Sequence, residues 1–290
     1  MINLIACIKQ VPMVSELPWD TRTGTLKREL AQGMMDPASA HALEAALQLK
    51  EKLAGRGSAV TLTAVAMGPP MAAEILYQAM ALGADRGVLL TDRAMAGADT
   101  FLTAHVLARF VRTACPAFDL ILCGSQTSDS ETGQVGAQLA EELDIPALGY
   151  ARSLEWYRQG CLRVERHVDD FLELMEMDLP GLVTVDHEDD HTPYRPRYTA
   201  MDGVQSVFEA REVEILSAAD LGLAEAFNAL TQSPTRILDV YSPTAQKETR
   251  LLKGAVKKSV DTLFEEYGKI ISGAMGKDLK THDHEGEETE

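Results

Sequence analysis

Between Ile2 and Leu143, short apolar runs alternate with stretches of helical period. A chain patterned this way has few choices other than a parallel sheet crossed by helices on both faces. The strand runs are residues 3–8, 60–66, 87–90 and 119–123, each short and continuously apolar, as a strand covered on both faces requires. Asp36-Pro37 supplies a cap and a proline at the first helical position. Leu43, Ala46, Leu47 and Leu53 then share a face before Gly55 and Gly57 end the helix. A second helix follows Pro69-Pro70 and runs through Ile75, Leu76, Ala79 and Met80 to Gly83. A third starts near Asp99-Thr100, with Leu102, Val106, Leu107, Phe110 and Val111 as its stripe.

After Pro146 the period drops to two. Residues 154–156, a turn at 157–160 and residues 162–168 read as an antiparallel hairpin, continued by 171–177 and closed by 182–186 as a meander. From Asp186 core periodicity fades and the chain becomes polar and proline-punctuated, at Pro193, Pro196, Pro234 and Pro243. An arm of this kind is expected to wrap another surface. In residues 255–272, Val256, Val260, Leu263, Phe264, Tyr267, Ile270 and Ile271 form one helical stripe that wants a partner. The expected fold class is therefore α/β: a doubly wound, mostly parallel sheet with an antiparallel β extension and a C-terminal arm ending in an amphipathic helix.

The strand at 119–123 breaks into Gly124-Ser-Gln-Thr-Ser-Asp-Ser-Glu-Thr-Gly-Gln-Val-Gly136, which feeds a helix carrying Val135, Leu139 and Leu143. Small residues, hydroxyls at Ser125, Thr127, Ser128, Ser130 and Thr132, and unpaired N–H groups at a helix start suit a nucleotide phosphate. A plain strand-to-helix turn with a good cap at Asp129, Ser130 or Thr132 accounts for the same residues, and the local pattern leaves both readings open. Three further loops fall at strand ends, where a doubly wound sheet places ligands: residues 9–12, 67–70 and 91–100.

Other chemistries are poorly supported. Lys9-Gln-Val-Pro12 stands where a dinucleotide-binding glycine fingerprint would follow the first strand, and neither a Walker A loop nor a G-x-S-x-G elbow is present. His187-Glu-Asp-Asp-His191 and His282-Asp-His284 lie in polar segments and read as solvated loops, so no metal site is expected. Four cysteines, Cys7, Cys115, Cys123 and Cys161, form no C-x-x-C pair and read as reduced, buried small hydrophobes. A formal net charge of −17 argues against nucleic acid and anionic membranes as partners, although Lys253, Lys257 and Lys258 form a local basic patch. No apolar run approaches the roughly 20 residues that span a bilayer. With no basic leader before the first strand, a cytoplasmic location without membrane insertion is expected.

Several segments occur together along nearly the whole chain. They are Ile8-Lys-Gln-Val-Pro12, Gly24-Thr-Leu-Lys-Arg28, Met35-Asp-Pro37 with Leu43-Glu-Ala-Ala-Leu-Gln-Leu-Lys50, Met67-Gly-Pro69, Ala81-Leu-Gly-Ala-Asp85 and Leu90-Thr-Asp-Arg-Ala-Met-Ala-Gly-Ala-Asp-Thr100. They continue as residues 129–136, Leu179-Pro-Gly-Leu-Val-Thr184, Pro196-Arg-Tyr198, Asp220-Leu-Gly222 and Ser233-Pro-Thr235. In this order they resemble the β subunits of electron-transfer flavoproteins, within them the flavin-bifurcating branch, although no single short motif carries the likeness.

The resemblance implies a heterodimer with an α subunit that holds an FAD, while this chain binds a second FAD or, alternatively, AMP. The implied cofactor site comprises Cys7, Asp36, Pro37, Ala38, Ser39, Met67, Gly124, Gln126, Asp129, Ser130, Glu131, Thr132, Gly133, Gln134 and Val135, with phosphate over residues 129–134. Asp92, Arg93, Asp99 and Thr100 belong to a segment that looks like the one in members holding FAD and splitting electron pairs from NADH, which favours FAD, with Arg93 as a cation near the ring. The resemblance assigns no catalytic residue, making the chain an electron carrier more than an enzyme. It implies that residues 197–204 meet an acyl-CoA dehydrogenase-like or other flavoprotein partner. Together with the sequence pattern, the expected division is a nucleotide- or flavin-binding domain (1–210), an arm and helix wrapping the α subunit (211–280) and an acidic tail without apolar residues, expected to be disordered (281–290). Two other readings stand beside it: a conventional carrier with structural AMP, and a stand-alone adenine-nucleotide sensor of similar architecture.

Overall fold

A computed structural model describes residues 1–13, 19–20, 25–26, 33–169, 171–187, 192–199, 201–235, 252 and 254–282. Most of the 24–28 motif, Glu188 to His191, Pro243, Lys253, and the tail beyond His282 with Asp283 and His284 lie outside the described residues. In chain order the elements are β1 (Ile2–Cys7), β2 (Gln10–Pro12), β3 (Trp19–Asp20), β4 (Thr25–Leu26), β5 (Gly33–Met35), α1 (Pro37–Gly55), β6 (Val60–Met67), α2 (Ala73–Leu82), β7 (Arg86–Leu90) and α3 (Thr100–Ala114). They continue as β8 (Leu120–Gly124), α4 (Val135–Leu143), β9 (Ala147–Arg158), β10 (Cys161–Val168), β11 (Phe171–Asp178), β12 (Gly181–Val185), α5 (Met201–Ala210), β13 (Glu214–Leu216), α6 (Ala229–Gln232) and α7 (Val256–His282). Short 3-10 turns at Pro70–Ala72 and Arg93–Met95 precede α2 and α3.

Nine strands form one sheet in the order β11-β10-β9-β12-β8-β1-β6-β7-β13. Pairing is parallel from β9 through β13 across the sheet, and antiparallel where β10 joins β9 and β11 joins β10. β2 and β5 pair separately, bringing residues 10–12 against 33–35. The period-two pleat sends alternate residues of each central strand to opposite faces. Leu4, Ala6, Leu120 and Leu122 pack with α1 and α2, whereas Ile5, Ile121 and Cys123 pack with α3 and α4. The sheet is thus doubly wound, as the sequence pattern requires.

β12 departs from the expected meander. It does not close the hairpin strands but inserts between β9 and β8, parallel to both, and its Gly-Leu-Val-Thr-Val run, apolar but for Thr184, is buried on both faces there. The stretch after Asp186 also contributes more than the fading periodicity suggests. Tyr194 is buried with its hydroxyl accepting the Leu154 N–H at 2.7 Å, β13 extends the sheet beside β7, and Leu221 and Ala229 are buried. Each of these segments anchors through one or two side chains, too few to make a period.

The chain falls into two compact units, Met1–Arg236 and Ile237–Glu290. Within the second, α7 carries Val256, Val260, Leu263, Phe264, Tyr267 and Ile270, all exposed. No helix among the described residues is long and apolar enough to cross a membrane.

Candidate functional site

The connections from β1 depart to β6 on one side and the sheet continues to β8 on the other, so the carboxyl ends of β1 and β8 border a switch in strand order, where ligands bind in folds of this type. Cys7 lies opposite Val65 of β6 and Cys123 of β8 in register, which brings Cys7, Met67 and the loop after Gly124 to one edge of the sheet.

Asp36 builds the first wall. It caps α1 from a buried position, where one carboxylate oxygen accepts the Ser39 N–H at 3.1 Å and the Ser39 hydroxyl at 3.4 Å. The other accepts the Ser128 N–H at 2.8 Å and the Ser128 hydroxyl at 3.0 Å. The Asp36 N–H donates to the Lys9 carbonyl, and the Lys9 N–H donates to the Ser39 hydroxyl. Asp36 therefore clasps the loop at 124–136 onto α1. Of its neighbours, Ala38 and Ser39 are buried and Pro37 is exposed.

Gly124 permits this approach: a Cβ there would lie 2.7 Å from the Ala38 backbone carbon. Beyond it, Ser125 is buried, with its hydroxyl 3.1 Å from His187 Nδ1. The loop then turns outward, so that Asp129, Ser130, Glu131, Thr132 and Gln134 are exposed, while Gln126, Gly133 and Val135 are half-buried. Glu131 and Gly133 adopt left-handed backbone, at φ 50° and 62°. Lys9 Nζ reaches across to both Asp129 carboxylate oxygens, at 2.7 and 2.9 Å. Burial works to raise the Asp129 carboxyl, but the Lys9 ammonium and the Thr127 and Ser130 hydroxyls outweigh it and hold the group below the usual carboxylate range.

The caps of α1 and α3 are side-chain carboxylates, but Gln134, the cap of α4, makes no side-chain cap bond, so the first N–H groups of α4 have neither a cap nor an intrahelical partner. Thr100, at the start of α3, donates to Gln134 Oε1 at 3.0 Å and joins the α3 and α4 starts.

Asp92 and Asp99 set a second wall. Asp92 accepts the Ala94 N–H at 3.0 Å and the Ala218 N–H at 3.1 Å, and these bonds hold its carboxyl below the ordinary range. Asp99 caps α3 through the Leu102 N–H and accepts the Thr235 N–H and hydroxyl at 3.0 and 2.8 Å. Burial opposes the ionised form of Asp99, yet these donors lower its pKa on balance. Both carboxylates thus hold the connection between β7 and α3 against residues 217–235, and Arg93 stands exposed on the turn between them.

The structure brings the four segments named from sequence to one edge of the sheet, but turns the Asp36, Asp92 and Asp99 carboxylates into the framework. It gives Lys9, Ser128 and His187 specific partners there, Asp129, Asp36 and Ser125, and adds Tyr150. Tyr150 has left-handed backbone at φ 58° and is 52% exposed, and its hydroxyl would lie 3.8 Å from a Cβ on Gly133. It sits in a β-bulge, where Gly149 and Tyr150 together oppose Thr184 and the Thr184 hydroxyl accepts the Tyr150 N–H at 3.1 Å. Gly149 inside the strand pattern was the available signal. Among the described residues, no cluster of three or more His, Cys, Asp and Glu side chains is arranged to hold a metal.

The electron transfer flavoprotein domain is matched over residues 23–214. An electron transfer flavoprotein subunit beta from Thermoanaerobacterium thermosaccharolyticum is 37% identical over 264 residues, covering 91% of this chain and 97% of its own. The caffeyl-CoA reductase-Etf complex subunit CarD of Acetobacterium woodii is 34% identical, covering 93% of this chain and 97% of its own. Protein FixA of Rhizobium meliloti is 32% identical, covering 94% and 90%. With a doubly wound sheet, a loop clasped at its switch point and relatives matched over almost their full length, the chain belongs to the electron transfer flavoprotein family, among its β subunits.

Proposed function

We propose that this chain binds FAD in the cleft at the carboxyl edge of β6, β1 and β8. It passes electrons in the cytoplasm as the β subunit of a heterodimer whose α subunit holds a second FAD. The observation that carries the reading is the uncapped start of α4 directly after an exposed, hydroxyl-rich loop. The open N–H groups of Val135, Gly136 and Ala137, with the Ser130 and Thr132 hydroxyls, suit a phosphate. Lys9 offsets the Asp129 charge, and the Asp36 carboxylate is turned inward, so the residues fit an anionic group.

The wall at 92–100, braced by Asp92 and Asp99 and linked to α4 through Thr100, favours a ligand longer than AMP. A flavin held there supplies one- and two-electron redox chemistry. The chain's own part is to bind and orient: Met67 and Cys7 offer half-buried, weakly polar surface, Tyr150 an exposed ring and Arg93 an exposed cation. NADH as donor and the splitting of electron pairs between two acceptors agree with the likeness to the bifurcating branch.

The name of the Acetobacterium woodii relative places it in a complex with a CoA-thioester reductase, which supports a flavoprotein of the acyl-CoA dehydrogenase type as redox partner here. Arg197 does not itself present a free cation to such a partner. It is held bidentate by Glu44, at 2.7 and 2.9 Å, and by Glu51 at 2.6 Å, and so presents Tyr198, which is 95% exposed. The arm from residue 211 and the apolar stripe of α7 would clamp the α subunit.

A test uses the complex with the α subunit. Thr132→Asp adds a negative charge at an exposed site beside the α4 start and should reduce bound flavin from two equivalents to one while the heterodimer stays assembled. Undiminished flavin would contradict the placement.

A further inference from the structure

We propose that Cys7 and Cys123 form a reversible dithiol–disulfide site on the floor of the cleft, oxidised by a peroxide. They are direct partners in the parallel register of β1 and β8. Neighbouring strands lie about 4.8 Å apart, inside the Cα separation of about 4.4–6.8 Å that disulfides adopt. The pleat places both side chains on the α3 and α4 face, in line with Ile5 and Ile121. Cys123 is buried and Cys7 half-buried at the carboxyl edge, so Cys7 is the less enclosed of the two and the one a small oxidant meets first.

The neighbouring Cys123 side chain, followed by burial, pushes the Cys7 pKa well up, so Cys7 rests as a thiol. The other two cysteines are placed differently. Cys115 ends α3 beside Arg86, and Cys161 is buried on β10 near Glu176.

Oxidation proceeds in two balanced steps. The Cys7 sulfur, having given up its proton, attacks one peroxide oxygen; the O–O bond breaks, a sulfenic acid forms, and the departing hydroxide takes the proton as water. The Cys123 sulfur then attacks the Cys7 sulfur; the S–S bond forms, the S–O bond breaks, and the Cys123 proton leaves with the hydroxyl as a second water. Two thiols are oxidised and one peroxide is reduced to two waters. A thiol reductant reverses the change, as for the transient disulfides of reducing compartments. The bond would tie together the strand ends from which Lys9 and the 124–136 loop depart, so a nucleotide lying over them should shield the pair. This shielding rests on the proposed function, whereas the cross-link itself does not.

The test treats the full-length chain with hydrogen peroxide, alkylates the remaining thiols under denaturing conditions and maps the peptides by mass spectrometry. The expected result is a cross-link between the Cys7 and Cys123 peptides that dithiothreitol reverses, that Cys7→Ser or Cys123→Ser abolishes and that Cys115→Ser retains. Recovery of both as alkylated thiols or as separate sulfinic acids, or a Cys7–Cys115 cross-link, overturns the proposal. The wild-type map decides alone if a variant fails to fold. With AMP or FAD at about ten times its dissociation constant, cross-linking should slow about tenfold, the fraction of empty sites setting the rate. A cross-link that forms equally fast with nucleotide present upholds the dithiol and contradicts the placing of nucleotide above it.

Discussion

The Asp36 carboxylate accepts both the N–H and the hydroxyl of Ser128, 92 residues further along the chain, and this clasp shapes the loop that faces the cleft. Asp36→Ala removes the α1 cap and leaves the Ser39 and Ser128 donors without their acceptor, at a cost of about 2–3 kcal/mol. Asp36→Asn keeps part of the bonding but turns an amide donor toward donors, so it should fall between the two. Urea unfolding checks the order; an alanine variant as stable as the parent would mean that the clasp contributes nothing.

Much of this was legible in the sequence, and the reasons for the remainder are physical. Asp36-Pro37 and Asp99-Thr100 mark helix starts through local chemistry, and the structure starts α1 and α3 there. The partners of these same carboxylates, Ser128 for Asp36 and Ala218 and Thr235 for Asp92 and Asp99, are set by tertiary approach, which no local pattern encodes. The insertion of β12 was hidden for a similar reason, since a largely apolar run reads alike at the end of a meander and in the middle of a parallel sheet. Tyr194 and Leu221 were missed because a single buried anchor in a polar stretch has no period.

The Lys9–Asp129 ion pair makes the loop acid-sensitive. Because the folded pKa of Asp129 is lowered, the pair's contribution is complete above the ordinary carboxylate value of about 4. It is lost as pH falls through the lower folded value. Hydrogen-exchange protection of residues 124–136, corrected for intrinsic rates, should fall in that window in the parent. In Lys9→Met and Asp129→Asn it should already be low and lack that step. An identical step in all three proteins would assign the transition to another carboxylate.

Glu44 is 4% exposed on its side chain and relies on Arg197, whose side chain is 34% exposed. Arg197→Met leaves a buried carboxylate without its counter-ion, with only the Gln48 amide among the described residues still donating to it. Solvent access at Arg197 discounts the 3–5 kcal/mol typical of a fully buried pair to about 2 kcal/mol. Glu44→Gln with Arg197→Met should recover part of the loss, which a double-mutant cycle by thermal or urea unfolding measures. If Arg197→Met is neutral, the segment carrying Tyr198 has other anchors.

The exposed stripe of α7 predicts that truncation before Gly254 weakens association with the α subunit while leaving the sheet of the first unit folded. Analytical ultracentrifugation of the co-expressed subunits reads the first effect and far-UV circular dichroism the second. An undiminished heterodimer would remove α7 from the interface.

The most direct measurement of the central claim is the cofactor inventory of the wild-type complex. The chain is co-expressed with its α subunit, the purified complex is denatured, and released FAD and AMP are quantified against protein. Two FAD per heterodimer is the predicted result; one FAD with one AMP would contradict flavin binding in this chain and leave a conventional single-flavin carrier.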